Sequence, residues 1–202
     1  MIETTRTDGL VTLTLNRPQK ANALTRDMLT ALADQIETLS TASPPNALII
    51  TGRGKVFSAG ADLEAAREGL ATDPIWERLS GAVADAPFLT IAALNGTAAG
   101  GSLGMVLACD IRIAVPQATF FYPVMRLGFL PQPSDSKRLA ALVGPARAKL
   151  MLLAGQKITT DDALTFGLVD RVSDTPLDDA VALATDALAA RHAHVQAIKS
   201  MI

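Results

Sequence analysis

Two segments rich in glycine and alanine contain the residues of this sequence that could do chemistry. They are Phe57–Leu63 and Asn95–Gly104, and each lies between a predicted strand and a predicted helix. Residues without bulky side chains let a ligand approach the main chain. The first N–H groups of a helix have no partner inside it, so they can donate to an oxygen that bears negative charge. The two segments therefore indicate a site built from backbone donors, with tight packing of helix on sheet as the alternative.

A serine nucleophile is another interpretation, because Gly100–Gly104 fits the pattern G-x-S-x-G around Ser102. Asp110 and then His192 or His194 follow in the order of a hydrolase triad. A nucleophile elbow needs its serine directly after a strand, whereas here most of the glycine-rich segment separates the two. Asp110 is also unusually near the serine in sequence. A serine hydrolase is therefore the less favoured alternative.

Neither the histidines nor the single cysteine predicts a different kind of site. His192 and His194 are two positions apart and point to different sides of a helix, so no metal site is expected. Cys109 lies in an apolar run without an adjacent basic residue, which indicates a buried and unreactive thiol. One cysteine cannot form an internal disulfide, which suits a reducing compartment.

The composition of the 202 residues favours one soluble domain. Hydrophobic residues make up 49%, enough for a full core, and the net charge of −2 gives no positive field to attract nucleic acid. No secretory pattern and no run of about 18 apolar residues occur, so we expect no membrane association and a cytoplasmic location. We predict a single domain over residues 1–202, with its core over about 1–172 and a helical part over about 173–202.

Hydrophobic periodicity predicts alternating strands and helices, which is the α/β class. Leu10–Leu15 alternates with period two, as a half-buried strand does, and Ala47–Thr51 is short and fully apolar, as a strand buried on both faces. Thr25 can cap the helix between them. Asp73 and Pro74 open a second helix, and Phe88–Leu94 is the next strand.

Further elements are predicted in the second half of the chain. Ile111–Val115 and Leu168–Val172 have the pattern of short strands. The helices predicted here run over about 134–143, 145–154, 159–166 and 176–192.

Five ordered segments together resemble the crotonase, or enoyl-CoA hydratase/isomerase, family. These segments are Phe57–Leu63, Ile91–Gly96 with the glycines that follow it, Cys109–Ala114, Leu127–Pro131 and Ala163–Val169. The resemblance spans the chain from Leu10 to about Asp170. It implies a crotonase-like spiral of repeated ββα units with a short C-terminal helical part, assembled as a homo-oligomer, either a trimer or a pair of trimers. It also implies a lyase or isomerase of acyl-CoA metabolism.

The resemblance assigns catalysis to the backbone N–H groups of Ala61 and Gly101. They would form an oxyanion hole that polarises the thioester carbonyl of an acyl-CoA and stabilises the enolate next to it. Each fixed donor of this kind can lower a barrier by about 3–4 kcal/mol. No permanently bound cofactor is implied, because coenzyme A arrives as part of the substrate. The positions that the resemblance places along substrate or CoA are Ala23, Ala59, Gly60, Asp62, Leu63, Gly100, Gly104 and Val124.

The CoA phosphates have only weak candidate partners in the sequence. Arg17, Lys20 and Arg53 lie in or near the early segment that resembles the family's CoA-binding loop. Plain solvated surface charges are the simpler interpretation of all three.

The sequence departs from the hydratases of the family at two positions. Their paired glutamates, which add water as acid and base, align with Gly104 and Val124, so both carboxylates are missing. We therefore expect ordinary hydration to be absent or very slow. Decarboxylation, isomerisation or thioester cleavage through an enolate is expected instead.

Asp135 is the best candidate for a replacement group. It lies in the loop after the Leu-Gly-x-x-Pro motif, where other family members place a working aspartate or tyrosine. The alternative is that Ser134 or Asp135 caps the helix that begins near Ser136. Tyr122 and Gln132 could form hydrogen bonds to the acyl group.

A catalytically degenerate acyl-CoA binder, or an assembly partner, is the main alternative to an enzyme. Family members commonly extend beyond the segment that ends this sequence, Ala197–Ile202, with helices that cover the acyl pocket. Loss of that cover and of both glutamates would suit a binder. We expect an enzyme, because an intact oxyanion hole is of little use to a scaffold.

Overall fold

The computed structural model describes the whole chain, residues 1–202, and its strands and helices alternate along the sequence. This arrangement confirms the predicted α/β class. Ten strands form two sheets. In chain order the strands are β1 (Ile2–Thr7), β2 (Leu10–Leu15), β3 (Ala47–Gly52), β4 (Val56–Ser58), β5 (Leu89–Leu94), β6 (Thr97–Ala99), β7 (Ile111–Ala114), β8 (Thr119–Phe121), β9 (Ile158–Thr159) and β10 (Arg171–Val172).

Eleven α-helices connect and cover the strands. Thr25 caps the first helix as predicted, because its hydroxyl oxygen accepts a hydrogen bond from the N–H of Met28. The helices are α1 (Arg26–Thr41), α2 (Leu63–Arg67), α3 (Ile75–Ala84), α4 (Ser102–Ala108), α5 (Val124–Leu127), α6 (Asp135–Val143), α7 (Pro145–Leu152), α8 (Thr160–Phe166), α9 (Pro176–Leu183), α10 (Thr185–Ala189) and α11 (His192–Lys199).

The two sheets share the chain in a repeated order. The large sheet has the order β1-β2-β3-β5-β7-β10, and the small sheet has the order β4-β6-β8-β9. All neighbours in the large sheet are parallel except β1 and β2. In each of the pairs β3-β4, β5-β6 and β7-β8, the first strand belongs to the large sheet and the second to the small sheet, and a helix follows. These are three successive ββα units, as the resemblance implied.

The central strands are mostly apolar because helices cover both faces of the large sheet. On one face, Ile49 and Ile91 pack against the small residues Ala180 and Ala184 of α9 and its end. On the other face, Leu48 and Ile50 join the main core, to which α1 and α3 contribute. A strand buried on both sides needs no polar alternation, which explains its continuous apolar run.

Two predicted elements differ from the structure. The helix expected over 176–192 is divided into α9, α10 and α11, because the chain is extended at Ala190 and Arg191. The side-chain amide of Asn46 donates to the carbonyls of Ala187 and Ala190, which thereby have hydrogen-bond partners at this break in the helix. The strand expected over Leu168–Val172 shrinks to β10, because the N–H groups before it are used to close the end of α8.

The sequence pattern missed β1 and the short strands of the small sheet. Strands of three residues contain too little alternation to be recognised. The strand β6 matters most, because it ends at Ala99, directly before Gly100, whereas the sequence predicted the nearest strand end at Leu94.

Asn22 ties the loop after β2 to the turn between β3 and β4. Its side chain is fully buried, and its backbone has a left-handed φ of +52°. The amide donates to the carbonyls of Arg53 and Val56 at 2.9 and 2.8 Å and accepts from the N–H of Arg17 at 2.9 Å. The hydroxyl of Ser58 donates to the Asn22 carbonyl at 2.9 Å. One buried side chain therefore fixes three backbone segments relative to one another.

The segment after Asn22 pairs with the first glycine-rich turn. The N–H of Ala59 donates to the Ala21 carbonyl, that of Leu24 to the Gly60 carbonyl, and that of Asp62 to the Leu24 carbonyl. The hydrogen bonds to residues 21–24 use the polar groups of Ala59, Gly60 and Asp62 but not the N–H of Ala61. That N–H therefore points away from residues 21–24.

Replacing Asn22 with Ala is expected to lower the free energy of unfolding by about 3 kcal/mol. The reason is that the carbonyls of Arg53 and Val56 and the N–H of Arg17 lose their hydrogen-bond partner, and alanine disfavours a left-handed backbone. Urea denaturation measures the change. Asn16→Ala is the matched control, because the Asn16 amide bonds only the partly exposed Glu3 carboxylate through its side chain. A loss no larger than that of the control would contradict this role of Asn22.

Candidate active site

The two glycine-rich turns touch main chain to main chain. Gly60 has φ +91° and Gly100 has φ +57°, backbone regions that favour glycine. A Cβ atom added to Gly60 would lie 2.7 Å from the carbonyl oxygen of Ala99. No side chain fits between the turns. The structure thus brings together the two segments that the sequence predicts to contain backbone donors.

The predicted donors Ala61 and Gly101 both have backbone N–H groups without an acceptor in the protein. Their neighbours are engaged: Asp62 donates to Leu24, and Gly100 donates to the Phe121 carbonyl at 3.0 Å. Both residues line one cavity of about 180 Å³. Two unsatisfied donors at one apolar cavity can hold a carbonyl oxygen and stabilise charge that develops on it.

Trp76 explains why the second donor is a glycine. A Cβ atom at Gly101 would lie 3.0 Å from the indole ring. The ring is 4% exposed, and its Nε1–H donates to the Leu70 carbonyl at 2.7 Å, so it is held in place. Trp76 was not among the residues predicted for the site. Its position as the only tryptophan, on a helix between the two turns, was the available signal.

The cavity is lined mostly by apolar side chains. Tyr122 and Gln132 are its polar side chains, and no charged residue lines it. Four of the predicted substrate positions line the cavity, namely Ala59, Leu63, Gly100 and Val124. Four others do not line it, namely Ala23, Gly60, Asp62 and Gly104.

Asp135 lies directly behind Tyr122. Its side chain is 1% exposed, and its Oδ2 accepts a hydrogen bond from the Tyr122 hydroxyl at 2.8 Å. Its Oδ1 is buried without a partner. A Cβ atom at Gly104 would lie 2.8 Å from this Oδ1. The carboxyl group therefore occupies the space in which a side chain at position 104 would begin.

The alternative that Ser134 or Asp135 caps α6 is wrong. Neither side chain accepts from the first N–H groups of the helix. The Ser134 hydroxyl instead donates to the Glu77 carboxylate at 3.0 Å, and Asp135 is the first helical residue, with its side chain turned inward. The inward position is decided by the hydroxyl of Tyr122, which sequence spacing cannot reveal.

The environment of Asp135 favours its neutral form. Burial raises the pKa of this carboxyl to about 6, against the opposing effect of the hydrogen bond from Tyr122. The charge of Glu77 raises the pKa further, and that of Arg138 lowers it. Burial and the neighbouring carboxylate also raise the pKa of the Tyr122 hydroxyl far above its ordinary value.

Two of the three cations considered for the CoA phosphates are already paired. Arg17 contacts the Asp62 carboxylate at 2.6 Å, and Arg53 contacts Glu3 at 2.9 Å. Asp62 also caps α2, and the hydrogen bond from Arg17 is the main reason that its pKa lies below the ordinary value. Lys20 is exposed and has no ion pair.

The structure contradicts the serine hydrolase alternative. Ser102 is fully buried, and its hydroxyl donates to the Ala99 carbonyl at 2.7 Å. Asp110 accepts from Thr90 and Lys199, and neither contact involves the serine. His192 was predicted to end a helix, but it begins α11. Its Nδ1 lies 3.0 Å from the backbone carbonyl of Pro45.

Cys109 is buried, as predicted. Burial raises the pKa of its thiol to about 12, so the reactive thiolate is scarcely formed at neutral pH.

Burial of Asp135 is expected to make stability fall as pH rises. The pKa is raised from 3.8 to about 6, so between these values the folded state binds more protons than the unfolded state. The contribution of Asp135 to the free energy of unfolding is fully present below about pH 4 and is lost as the pH rises through about 6. Asn at this position stays neutral. The stability of Asp135→Asn relative to the wild type should therefore increase by about 2–3 kcal/mol from pH 4 to pH 7.

Denaturation at both pH values measures the change. Asp174→Asn, at an exposed loop residue, is the control and should show no such trend. An equal trend in both variants would contradict the raised pKa of the buried Asp135 carboxyl.

No helix of the structure is long and apolar enough to span a membrane.

The family model described as enoyl-CoA hydratase/isomerase matches residues 5–202. The chain is 38% identical over 189 residues to the 2,3-dehydroadipyl-CoA hydratase of Escherichia coli, covering 89% of this chain and 72% of the relative. It is 33% identical over 207 residues to the 4-chlorobenzoyl coenzyme A dehalogenase-1 of Arthrobacter, covering 98% of this chain and 75% of the relative.

Solved structures agree with the sequence comparisons. The structure superposes on the enoyl-CoA hydratase of Bacillus anthracis with a TM-score of 0.91 at 29% identity, covering 98% of this chain and 81% of that chain. It superposes on DspI of Pseudomonas aeruginosa with a TM-score of 0.90 at 35% identity, covering 98% and 84%. With its three ββα units and the family match along nearly its whole length, this chain belongs to the enoyl-CoA hydratase/isomerase family, the crotonase group.

Proposed function

We propose that the protein is an enzyme that binds an acyl-CoA thioester and stabilises its enolate between the N–H groups of Ala61 and Gly101. The observation that carries the proposal is that both groups lack an acceptor and line the same apolar cavity. An enolate oxygen carries more negative charge than the ground-state carbonyl. Fixed donors in a water-poor site therefore stabilise the enolate more than the substrate, as catalysis requires.

The lining of the cavity supports a small, uncharged acyl group. Its volume of about 180 Å³ is below the roughly 300–1,000 Å³ of sites that enclose a whole ligand, so it fits an acyl chain and not the CoA moiety. Burying a carboxylate there without a cation would be costly. Among the reactions considered from the sequence, proton transfer next to the carbonyl, as in isomerisation, is therefore favoured over decarboxylation of an acidic acyl group.

The named relatives support the thioester and leave the reaction open. Both a hydratase and a dehalogenase of CoA thioesters lie at similar identity to this chain. A catalytically degenerate acyl-CoA binder is the second candidate, because no carboxylate lines the cavity directly. Turnover distinguishes the two.

Butyryl-CoA should bind about tenfold or more tightly than S-butyl-CoA, the thioether that lacks the carbonyl oxygen. Two hydrogen bonds are lost in the thioether, each contributing about 0.5–1.5 kcal/mol. Isothermal titration calorimetry of the unmodified protein measures both dissociation constants, so no variant can fail through misfolding. CoA itself is the control for the shared moiety. Equal affinity for the thioester and the thioether would contradict an oxyanion hole at Ala61 and Gly101.

Crotonyl-CoA hydration should proceed below about 1 s⁻¹, the low end of ordinary turnover. Neither Gly104 nor Val124 supplies a carboxylate, and Asp135 lies behind Tyr122. Loss of the enoyl absorbance measures the rate, and an enoyl-CoA hydratase with both glutamates is the positive control. Turnover equal to that of the control would show that the two glutamates are not needed here.

A further inference from the structure

The buried carboxyl of Asp135 packs at Gly104, a residue one helical turn after the predicted oxyanion donor Gly101. The N–H of Gly104 donates to the Gly101 carbonyl, so these glycines are consecutive along one face of α4. The pitch of a helix is about 5.4 Å. Since Asp135 packs on Gly104, its carboxyl lies within reach of the region next to a carbonyl held at Gly101, with one side chain between them.

We propose that Tyr122 and Asp135 form a proton relay from the α-carbon of the bound acyl group to a buried carboxylate, in the space that Gly104 leaves open. This inference rests on the proposed function, since it needs a thioester in the oxyanion hole. It adds the base that the missing glutamates would have supplied.

The hydrogen bond between the two side chains gives the relay its direction. The Tyr122 hydroxyl donates its proton to Asp135 Oδ2 at 2.8 Å, and the side chain of Tyr122 lines the cavity. With its proton directed at the carboxylate, the phenol oxygen keeps lone pairs for a proton that arrives from the cavity. A tyrosine alone would be a poor base, because its own conjugate acid is far too strong. The carboxylate behind it is the final acceptor.

The proposed step balances as follows. The C–H bond at the α-carbon breaks, and its proton bonds to the Tyr122 oxygen as the original hydroxyl proton moves to Asp135 Oδ2. The electron pair of the C–H bond moves into the enolate, whose oxygen is held by Ala61 and Gly101. The reverse movement returns a proton to the α-carbon. In a 3-enoyl thioester, delivery at the α-carbon or the γ-carbon interconverts the double-bond isomers.

The charges around Asp135 allow it to act as a base near neutral pH. Glu77 and Arg138 are the charged groups that face it, and both are bound to Ser134. Tyr122 is the remaining titratable neighbour, and it stays neutral because its pKa is raised. With a pKa of about 6, most of the carboxyl is ionised at pH 7 yet remains a much stronger base than an exposed aspartate.

Gly104 is a necessary part of this arrangement. A Cβ atom there would lie 2.8 Å from Asp135 Oδ1 and 3.2 Å from Oδ2. Any side chain at this position would force the Asp135 carboxyl to shift from its present place beside Tyr122. The orphaned Oδ1, which has no partner in the folded protein, is consistent with a group kept reactive and not merely structural.

The test measures deuterium uptake at the α-carbon of butyryl-CoA in D₂O by mass spectrometry, with the full chain. The wild type should exchange, at a rate that rises as pH passes 6 and then levels. Asp135→Asn and Tyr122→Phe should each lower the rate by about 100-fold or more, the usual contribution of a positioned acid or base. Asp135→Asn should also lose the pH dependence. Asp174→Asn should change neither rate nor profile.

Calorimetry with butyryl-CoA separates the possible failures. Unchanged affinity in Asp135→Asn, together with lost exchange, supports the relay, since it shows a folded site without its base. Unchanged exchange in Asp135→Asn would overturn the relay while the oxyanion hole stands. Binding without exchange in the wild type would also overturn it, and absence of binding in the wild type would overturn the proposed function itself.

Discussion

The close approach of the Gly60 and Gly100 main chains is the constraint on which the rest of the site depends. No side chain fits between Gly60 and the Ala99 carbonyl, so the two turns meet directly. The Asn22 amide and the ladder between residues 21–24 and 59–62 hold one turn from behind. Trp76 holds the other turn through its contact with Gly101. Two N–H groups are thereby left without partners at a single cavity, in a protein whose buried side-chain polar atoms all have partners except Arg112 Nε and Asp135 Oδ1.

A second constraint links Gly104 and Asp135. The resemblance aligns the acid and base of the family's hydratases with Gly104 and Val124, and neither residue has a carboxylate. The structure fills the first of these spaces from the opposite side, with a carboxyl that comes from the start of α6. The side chain of Tyr122 separates this carboxyl from the cavity. A carboxyl behind the Tyr122 phenol can exchange a proton with the substrate through the hydroxyl but cannot contact a water molecule in the cavity directly. We therefore expect slow hydration together with proton transfer at the α-carbon.

Much of this architecture could be predicted from sequence, and the exceptions have physical causes. Long strands such as Ala47–Gly52, and α1 with its Thr25 cap, follow from periodicity and capping. The three-residue strands β4, β6 and β8 do not, because they depend on pairing between distant segments. The break at Ala190 depends on the amide of Asn46, over 140 residues away. Within the site, the resemblance predicts Ala61 and Gly101 as donors, whereas the inward turn of Asp135 depends on the Tyr122 hydroxyl, which local propensity cannot anticipate.

The most direct test of the account is isotope-edited infrared spectroscopy of [1-¹³C]butyryl-CoA bound to the protein. Polarisation by two backbone donors weakens the C=O bond of the thioester. With an oxyanion hole at Ala61 and Gly101, the carbonyl stretch of the bound ligand should lie at a lower frequency than that of the free ligand in water. A bound stretch at the same or a higher frequency would mean that the carbonyl receives no stronger hydrogen bonds than water gives, and it would contradict the oxyanion hole at Ala61 and Gly101.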